Sequence, residues 1–281
     1  MADGDFVVRI WGARGSLPAC SGQASSFGCA TPCVEVRCGN RTFVLDAGSG
    51  SFTLGQDLVA GTAREFDLLF THCHYDHIEG LPFFRPLHTS GWTGRIWSGH
   101  LAGRMTTEEM IASYMSGPFF PVGPGCFNAE VKYNDFVAGE VISAGDGVTI
   151  RTIKLNHPGG AIGYRFEYRG RSFCHITDTE HVPGKQDEAI LAFIAGADAV
   201  IYDSAYCDEE FTAFRGFGHS TWQEGVRLCN TAEAVLLLAF PHQPEKDDAA
   251  LEAIDVAMRK ARPESLMARE IMVIAPGKKM G

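Results

Sequence analysis

The sequence contains no apolar run approaching the ~18 residues that a membrane-crossing helix needs, so no membrane span is expected. It has no basic excess either. Lys and Arg number 24 against 34 Asp and Glu, for a formal charge of −10. That is the wrong sign for a chain that grips nucleic acid over its whole surface, although a local basic patch can sit inside an acidic total. The opening residues, Met-Ala-Asp-Gly-Asp-Phe-Val-Val-Arg-Ile, show no basic segment followed by an apolar one, so no secretory signal is expected. Repeats, low-complexity stretches and flexible linkers are missing. So is any C-x-x-C pair among the nine cysteines. Cys20, Cys29, Cys33 and Cys38 fall close together, but their spacing does not meet the rules for a structural zinc. Without an export signal the cysteines are expected to be free thiols in a reducing cytoplasm.

What remains is the composition of an ordinary soluble enzyme, with 45% apolar and 21% charged residues. The 281 residues are enough to bury a substantial core, and a single domain over 1–281 is expected. Alternating apolar and polar residues at 6–10 predict a first strand. Residues 34–37 and 42–45 flank Cys38-Gly39-Asn40-Arg41 as a hairpin. A tight loop at Asp46-Ala47-Gly48-Ser49-Gly50 precedes a helix over 52–60, and a short buried strand is predicted at 67–70. The stretch 92–133 is rich in Gly, Pro, Phe and Met and predicts loops with a helix near 108–114. Further strands are predicted at 148–155, 163–168, 172–176, 199–202 and 235–240. Helices are predicted at 187–195, 222–234 and 247–262, with Ser220 or Thr221 capping the second. Strands near both ends with helices between them point to a layered α/β sandwich.

Three of the ten histidines lie in one short run, His72-Cys73-His74-Tyr75-Asp76-His77. Imidazole and carboxylate are ligands that zinc, manganese and iron accept, and histidines two apart converge if the backbone is extended. This run resembles the H-x-H-x-D-H signature of the metallo-β-lactamase superfamily, and the likeness continues in order along nearly the whole chain. Asp46-Ala47-Gly48 resembles the family's first motif, an aspartate that supports the metal loop from behind. His157 in Asn-His-Pro-Gly-Gly and Asp178 in Ile-Thr-Asp-Thr-Glu fall where further ligands are expected. The resemblance implies a four-layer αβ/βα sandwich of two packed mixed sheets with outer helices. It also implies two divalent metal ions (Zn, Mn or Fe). His72, His74 and His157 would hold the first ion, Asp76 and His77 the second, and Asp178 would bridge them. The family places a last histidine after a late strand; here that region reads Phe240-Pro241-His242. Proline has no side-chain ligand, so the expectation is that His242 takes the place by a shift of one residue. The alternative is a weakened second site.

The fold hosts several chemistries, so the reaction must be read from the site. His74, where one branch has glutamate, argues against the oxygen-reducing flavodiiron proteins. Asp178 in place of cysteine argues against the largest group of true β-lactamases. Gly216-Phe217-Gly218-His219-Ser220-Thr221 resembles the G-H-S-T motif of the branch that contains ribonuclease Z and cyclic phosphodiesterases. By that resemblance His219 contacts the phosphoryl group or protonates the leaving oxygen, and Asp203 orients it. The expected reaction is hydrolysis of a small phosphodiester, such as a cyclic phosphate. A metal-bridging hydroxide would attack phosphorus, Asp76 would help at the reacting centre, and His219 would act as general acid. A ribonuclease Z-like RNA nuclease is the runner-up, disfavoured by the acidic total. A thioester or carboxylic ester hydrolase stands third. A non-catalytic metal-binding or regulatory protein that retains the fold stays open because of Pro241. The opening Trp11-Gly12-Ala13-Arg14-Gly15-Ser16-Leu17-Pro18 also resembles small bacterial phosphodiesterase-like members, and Arg14 would either meet a phosphate or brace a loop. The aromatic, proline-rich stretch 114–124 would border the substrate entrance or form a homodimer interface.

Overall fold

The computed structural model describes residues 6–20 and 25–278; the part of the secretory-signal reading that rests on residues 1–5 lies outside them. One sheet contains β1 (Phe6–Gly12), β2 (Cys33–Cys38), β3 (Arg41–Leu45), β4 (Glu65–Leu69), β5 (Thr93–Ser98), β6 (Glu130–Asp135) and, returning from the end of the chain, β14 (Val273–Ile274). The other contains β7 (Val141–Gly145), β8 (Val148–Leu155), β9 (Ala161–Tyr168), β10 (Arg171–Ile176), β11 (Ala199–Asp203), β12 (Leu236–Phe240) and β13 (Ser265–Met267). The strand orders are 14-1-2-3-4-5-6 and 13-12-11-10-9-8-7. Each sheet is mixed: β3 to β6 run parallel, as do β10 to β13, while the hairpin strands beside them are antiparallel.

Period-two alternation places the layers. One face of the first sheet, through Val8, Val36 and Phe43, packs against Ile150, Phe166 and Phe173 of the second, and the rings of Phe43 and Phe166 meet edge to face at 5.4 Å. The outward face of the first sheet is covered by α1 (Gly50–Ala60) and α3 (Thr107–Tyr114). The outward face of the second is covered by α4 (Glu188–Ile194), α6 (Trp222–Thr231) and α7 (Asp248–Ala261). Two four-residue helices, α2 (Tyr75–Ile78) and α5 (Asp208–Phe211), lie in loops. Each fully buried aromatic side chain in these layers contributes roughly 1.5–3 kcal/mol. The result is the four-layer α/β sandwich that the resemblance implied.

Helix starts follow side-chain caps: Thr221 accepts from the Glu224 amide, and Asp187 and Asp247 cap α4 and α7. Two expectations need correction. The stretch 92–133 is not only loop and helix, because β5 and β6 lie at its two ends. Gly94 obscures the β5 pattern, and it is there because a Cβ would come within 2.5 Å of the Phe66 ring. The cysteines are not all free, because Cys20 and Cys29 are joined as a disulfide; the other seven are thiols. No helix among the described residues is long and apolar enough to cross a membrane.

Candidate metal centre

The carboxyl ends of β3, β4, β8, β10 and β11 deliver the candidate residues to one cluster, the end at which parallel sheets usually bind ligands. After β4 the chain stays extended through His74 (φ −63°, ψ 156°), then turns into α2. The extended part aims His72 and His74 together, and the helical turn returns Asp76 and His77 to the same place. Asp46, held at φ 61°, supports this from beneath. Its carboxylate accepts from the Thr71 amide and hydroxyl, both at 2.7 Å, and from His77 Nδ1 at 2.8 Å.

These bonds fix the tautomers. The Thr71 proton goes to Asp46, so the Thr71 oxygen accepts from His72 Nδ1 at 3.0 Å. His157 Nδ1 donates to the Gly218 carbonyl at 2.7 Å. In a neutral ring this leaves Nε2 of His72 and of His157 as the lone-pair nitrogen, and each of these lies 3.0 Å from His74 Nδ1. His74 can give a proton to only one of them. Three converging imidazole nitrogens form a donor set that suits a divalent cation.

A second group forms around His77. Its Nε2 is buried without a hydrogen-bond partner. It lies 3.4 Å from Asp76 Oδ2 and 3.3 Å from Asp178 Oδ2. Burial would lower the His77 pKa, but Asp76, Asp178 and Asp46 outweigh burial and hold it well above the ordinary value. Carboxylates converging on one buried atom mark a place for positive charge. Asp178, also in the left-handed region at φ 58°, is the hub. Its Oδ2 is 3.6 Å from His72 Nε2, 3.8 Å from His157 Nε2 and 4.0 Å from His219 Nε2. Burial disfavours its charge, yet His77 and His219 keep its carboxyl well below the usual range. His72, buried and beside His77, is held well below the ordinary histidine value. The groups His72–His74–His157, His72–His77–Asp178 and Asp178–Asp203–His219 each bring their ligand atoms within 4.8 Å of one another.

His219 lies beside this cluster with Nδ1 2.9 Å from Asp203 Oδ2. Asp203 is fully buried and also accepts from the amides of Thr179 (3.0 Å), Ser220 (3.1 Å) and Ala205 (3.3 Å). Burial works against a charged imidazole here, but Asp203 and Asp178 prevail and push the His219 pKa up to about 9. The remaining nitrogen of the ring is the one that faces Asp178.

The structure does not bring His242 to the cluster. Its Nε2 donates to the Ala268 carbonyl at 2.6 Å, its ring packs edge-on to Phe27, and it belongs to none of the three groups above. Pro241, one residue earlier, faces the opposite way, against Gly15. The neighbouring Ser16 amide donates to Asp76 Oδ2 at 2.8 Å, a contact that no sequence pattern announced. Arg14 proves to be a brace. It is buried, and its nitrogens serve the carbonyls of Gly28, Gln243 and Lys246 and the hydroxyl of Ser25. Within 114–124, Phe120 packs on Phe83 while Phe119 is 90% exposed. A surface cavity of about 1160 Å³ lies elsewhere, with Arg37, Arg41, Arg64 and Arg95 in its lining. Arg37, Arg41 and Arg95 are paired with Glu35, Asp67 and Glu65, while Arg64 donates to the carbonyls of Gly61 and Ala63.

The sequence profile of the beta-lactamase superfamily domain matches residues 41–240, and the chain belongs to that family. Its architecture is the metallo-β-lactamase fold, and the chain is a hydrolase of that family with residues able to hold metal. A ribonuclease Z from Porphyromonas gingivalis is 21% identical over 83% of this chain and 87% of its own length. Among solved structures, the metallo-β-lactamase-fold protein YhfI from Bacillus subtilis superposes with a TM-score of 0.72 at 18% identity, covering 96% of this chain and 99% of that one. A diphosphatase of the PhnP family superposes with a TM-score of 0.70 at 17% identity, covering 96% and 97%.

Proposed function

We propose that the chain is a dinuclear-metal phosphodiesterase acting on a small phosphodiester, linear or cyclic. The carrying observation is the Asp203–His219 pair, whose other ring nitrogen lies 4.0 Å from Asp178 Oδ2 beside the histidine cluster. His72, His74 and His157 would hold one ion, Asp76 and His77 the other, and Asp178 both. Bound there, two divalent ions such as zinc or manganese would supply Lewis-acid charge that activates water and neutralises phosphoryl oxygens. His219 would hold the proton that the leaving oxygen needs, and Asp203 would keep its ring turned to give it. Thr71, Asp46 and Gly218 would keep the ligand imidazoles in the tautomer that exposes a lone pair.

A second reading, cleavage of RNA, draws on the ribonuclease Z relatives. The net charge of −10 weighs against it. The deciding experiment is turnover of bis-p-nitrophenyl phosphate against cleavage of a structured RNA, with metal content measured per chain. Phosphodiester turnover with two ions per chain supports the first reading. Preference for the RNA, with steep salt dependence, supports the second. Failure on both substrates under zinc and manganese overturns the phosphodiesterase assignment.

A further inference from the structure

We infer that Glu180 is a positioning residue that couples the first metal nest to the acid histidine; its catalytic half rests on the reaction proposed above. One carboxylate oxygen of Glu180, Oε2, accepts from the amides of Gly216 and Gly218, at 2.7 and 2.9 Å. That fixes the peptide Gly216-Phe217-Gly218 on both sides of Phe217. The fixed peptide has two outputs. The Gly218 carbonyl receives His157 Nδ1 at 2.7 Å, the bond that leaves His157 Nε2 as a lone pair. The next residue is His219, whose ring meets Asp203.

The clamp is anchored at its other end as well. The Glu180 amide donates to the Asn156 carbonyl at 2.8 Å, and the Asn156 side-chain amide donates to the Glu180 carbonyl at 2.8 Å. The loop bearing His157, the loop bearing Asp178 and the loop bearing His219 are thereby tied at one residue. Gly218 must be glycine for the arrangement to close. Its φ is +87°, and a Cβ there would lie 2.2 Å from Pro158 Cδ and 2.3 Å from His157 Nδ1. Oriented partners of metal-binding histidines commonly change metal affinity or activity ~10–100-fold when lost. Glu180 acts one step further back, on the carbonyl that orients such a histidine.

The test uses the full chain, stripped with chelator, as wild type, Glu180→Ala and Glu180→Gln. Zinc alone is titrated into each, and kcat and KM for bis-p-nitrophenyl phosphate are then measured at saturating zinc. Glu180→Ala is expected to weaken zinc binding ~10-fold or more and, with metal saturated, to lower kcat ~10-fold or more while KM moves little. Glu180→Gln is expected to restore both, because its carbonyl oxygen can still accept two amide protons. Unchanged zinc affinity in Glu180→Ala overturns the coupling, since the clamp would not reach His157. A glutamine variant as impaired as alanine also overturns it, because charge rather than geometry would then be at work. If Glu180→Ala fails to fold, Glu180→Asp, one methylene shorter, replaces it with the same expected losses. If wild type hydrolyses no phosphodiester, the proposed reaction fails, and the zinc titration still decides whether Glu180 holds His157.

Discussion

The two halves of the candidate centre share Asp178 but are built from different materials. On one side His72, His74 and His157 offer three imidazole nitrogens that converge at 3.0 Å, with the far nitrogens of His72 and His157 committed to a protein oxygen. On the other side Asp76 and Asp178 surround a single imidazole, His77. There Asp76 already spends an oxygen on the Ser16 amide, and His242 contributes nothing. The first half is built of imidazoles alone and is preorganised by hydrogen bonds. The second is rich in carboxylates and buried. A metal bound in the first gains from fixed geometry. A metal held in the second would rely more on charge and would compete with a proton on His77, whose pKa is raised by the same carboxylates.

Asp178 belongs to both halves, so its loss is expected to have the largest effect. Asp178→Asn should lower phosphodiester turnover by ~10³-fold or more and leave fewer than two ions per chain, read by elemental analysis. Full metal content with near-normal turnover would show that the halves do not share this residue. His219→Ala is expected to lower kcat ~10²–10³-fold while metal content stays at the wild-type level. Parallel loss of metal would place His219 among the ligands, as the Asp178–Asp203–His219 grouping would also permit.

The asymmetry itself is broken or sharpened one ion at a time. Asp76→Asn should weaken one of two zinc-binding steps ~10-fold or more and leave the tighter step unchanged, whereas His157→Ala should remove the tighter step. The readout is stepwise zinc titration of the chelated protein near pH 7.5. Two equal steps in wild type, or loss of the tight step in Asp76→Asn, would refute the division drawn above.

How much of this was legible beforehand depended on locality. β1 and β8 could be read from alternation, because burial on one face imposes a period of two, and β10 and β11 from short apolar runs buried on both faces. Gly94 hid β5 by packing against Phe66. β6 and β7 were missed because each is an edge strand with a mostly exposed side. The run from His72 to His77 stood out because its residues are neighbours in sequence. His157, Asp178, Asp203 and His219 are far apart, and only their order resembled a family. Glu180, the Ser16 amide and the Gly218 carbonyl carried no signal, since two are backbone groups and all three meet their partners only when segments distant in sequence come together. For His242 the sequence supplied a position but not a ring direction. At the end of β12 the chain turns Pro241 toward Gly15 and sends His242 into the core beside Phe27 and Ala268.

That last placement gives the smallest expected effect and a clean pH test. Burial lowers the His242 pKa to about 4, and the charges of Arg14, Arg269 and Lys246 add to burial while the Ala268 bond opposes it. The unfolded chain takes up this proton near 6.5, so the folded state is the poorer proton binder. Stability associated with a neutral His242 is therefore fully present above about 6.5. It is lost as pH falls toward the folded value, by ~2–3 kcal/mol at pH 4.5. His242→Gln keeps an amide donor for Ala268 and removes the titration. At pH 7.5 the variant is expected to be less stable than wild type by about 1 kcal/mol. In urea unfolding at pH 4.5 that deficit should vanish or reverse, while the metal content of the loaded protein stays at the wild-type value. A variant that keeps its deficit at both pH values would place His242 in a more hydrated site than the structure shows. A variant that loses one ion per chain would make His242 a ligand after all and erase the contrast between the two halves.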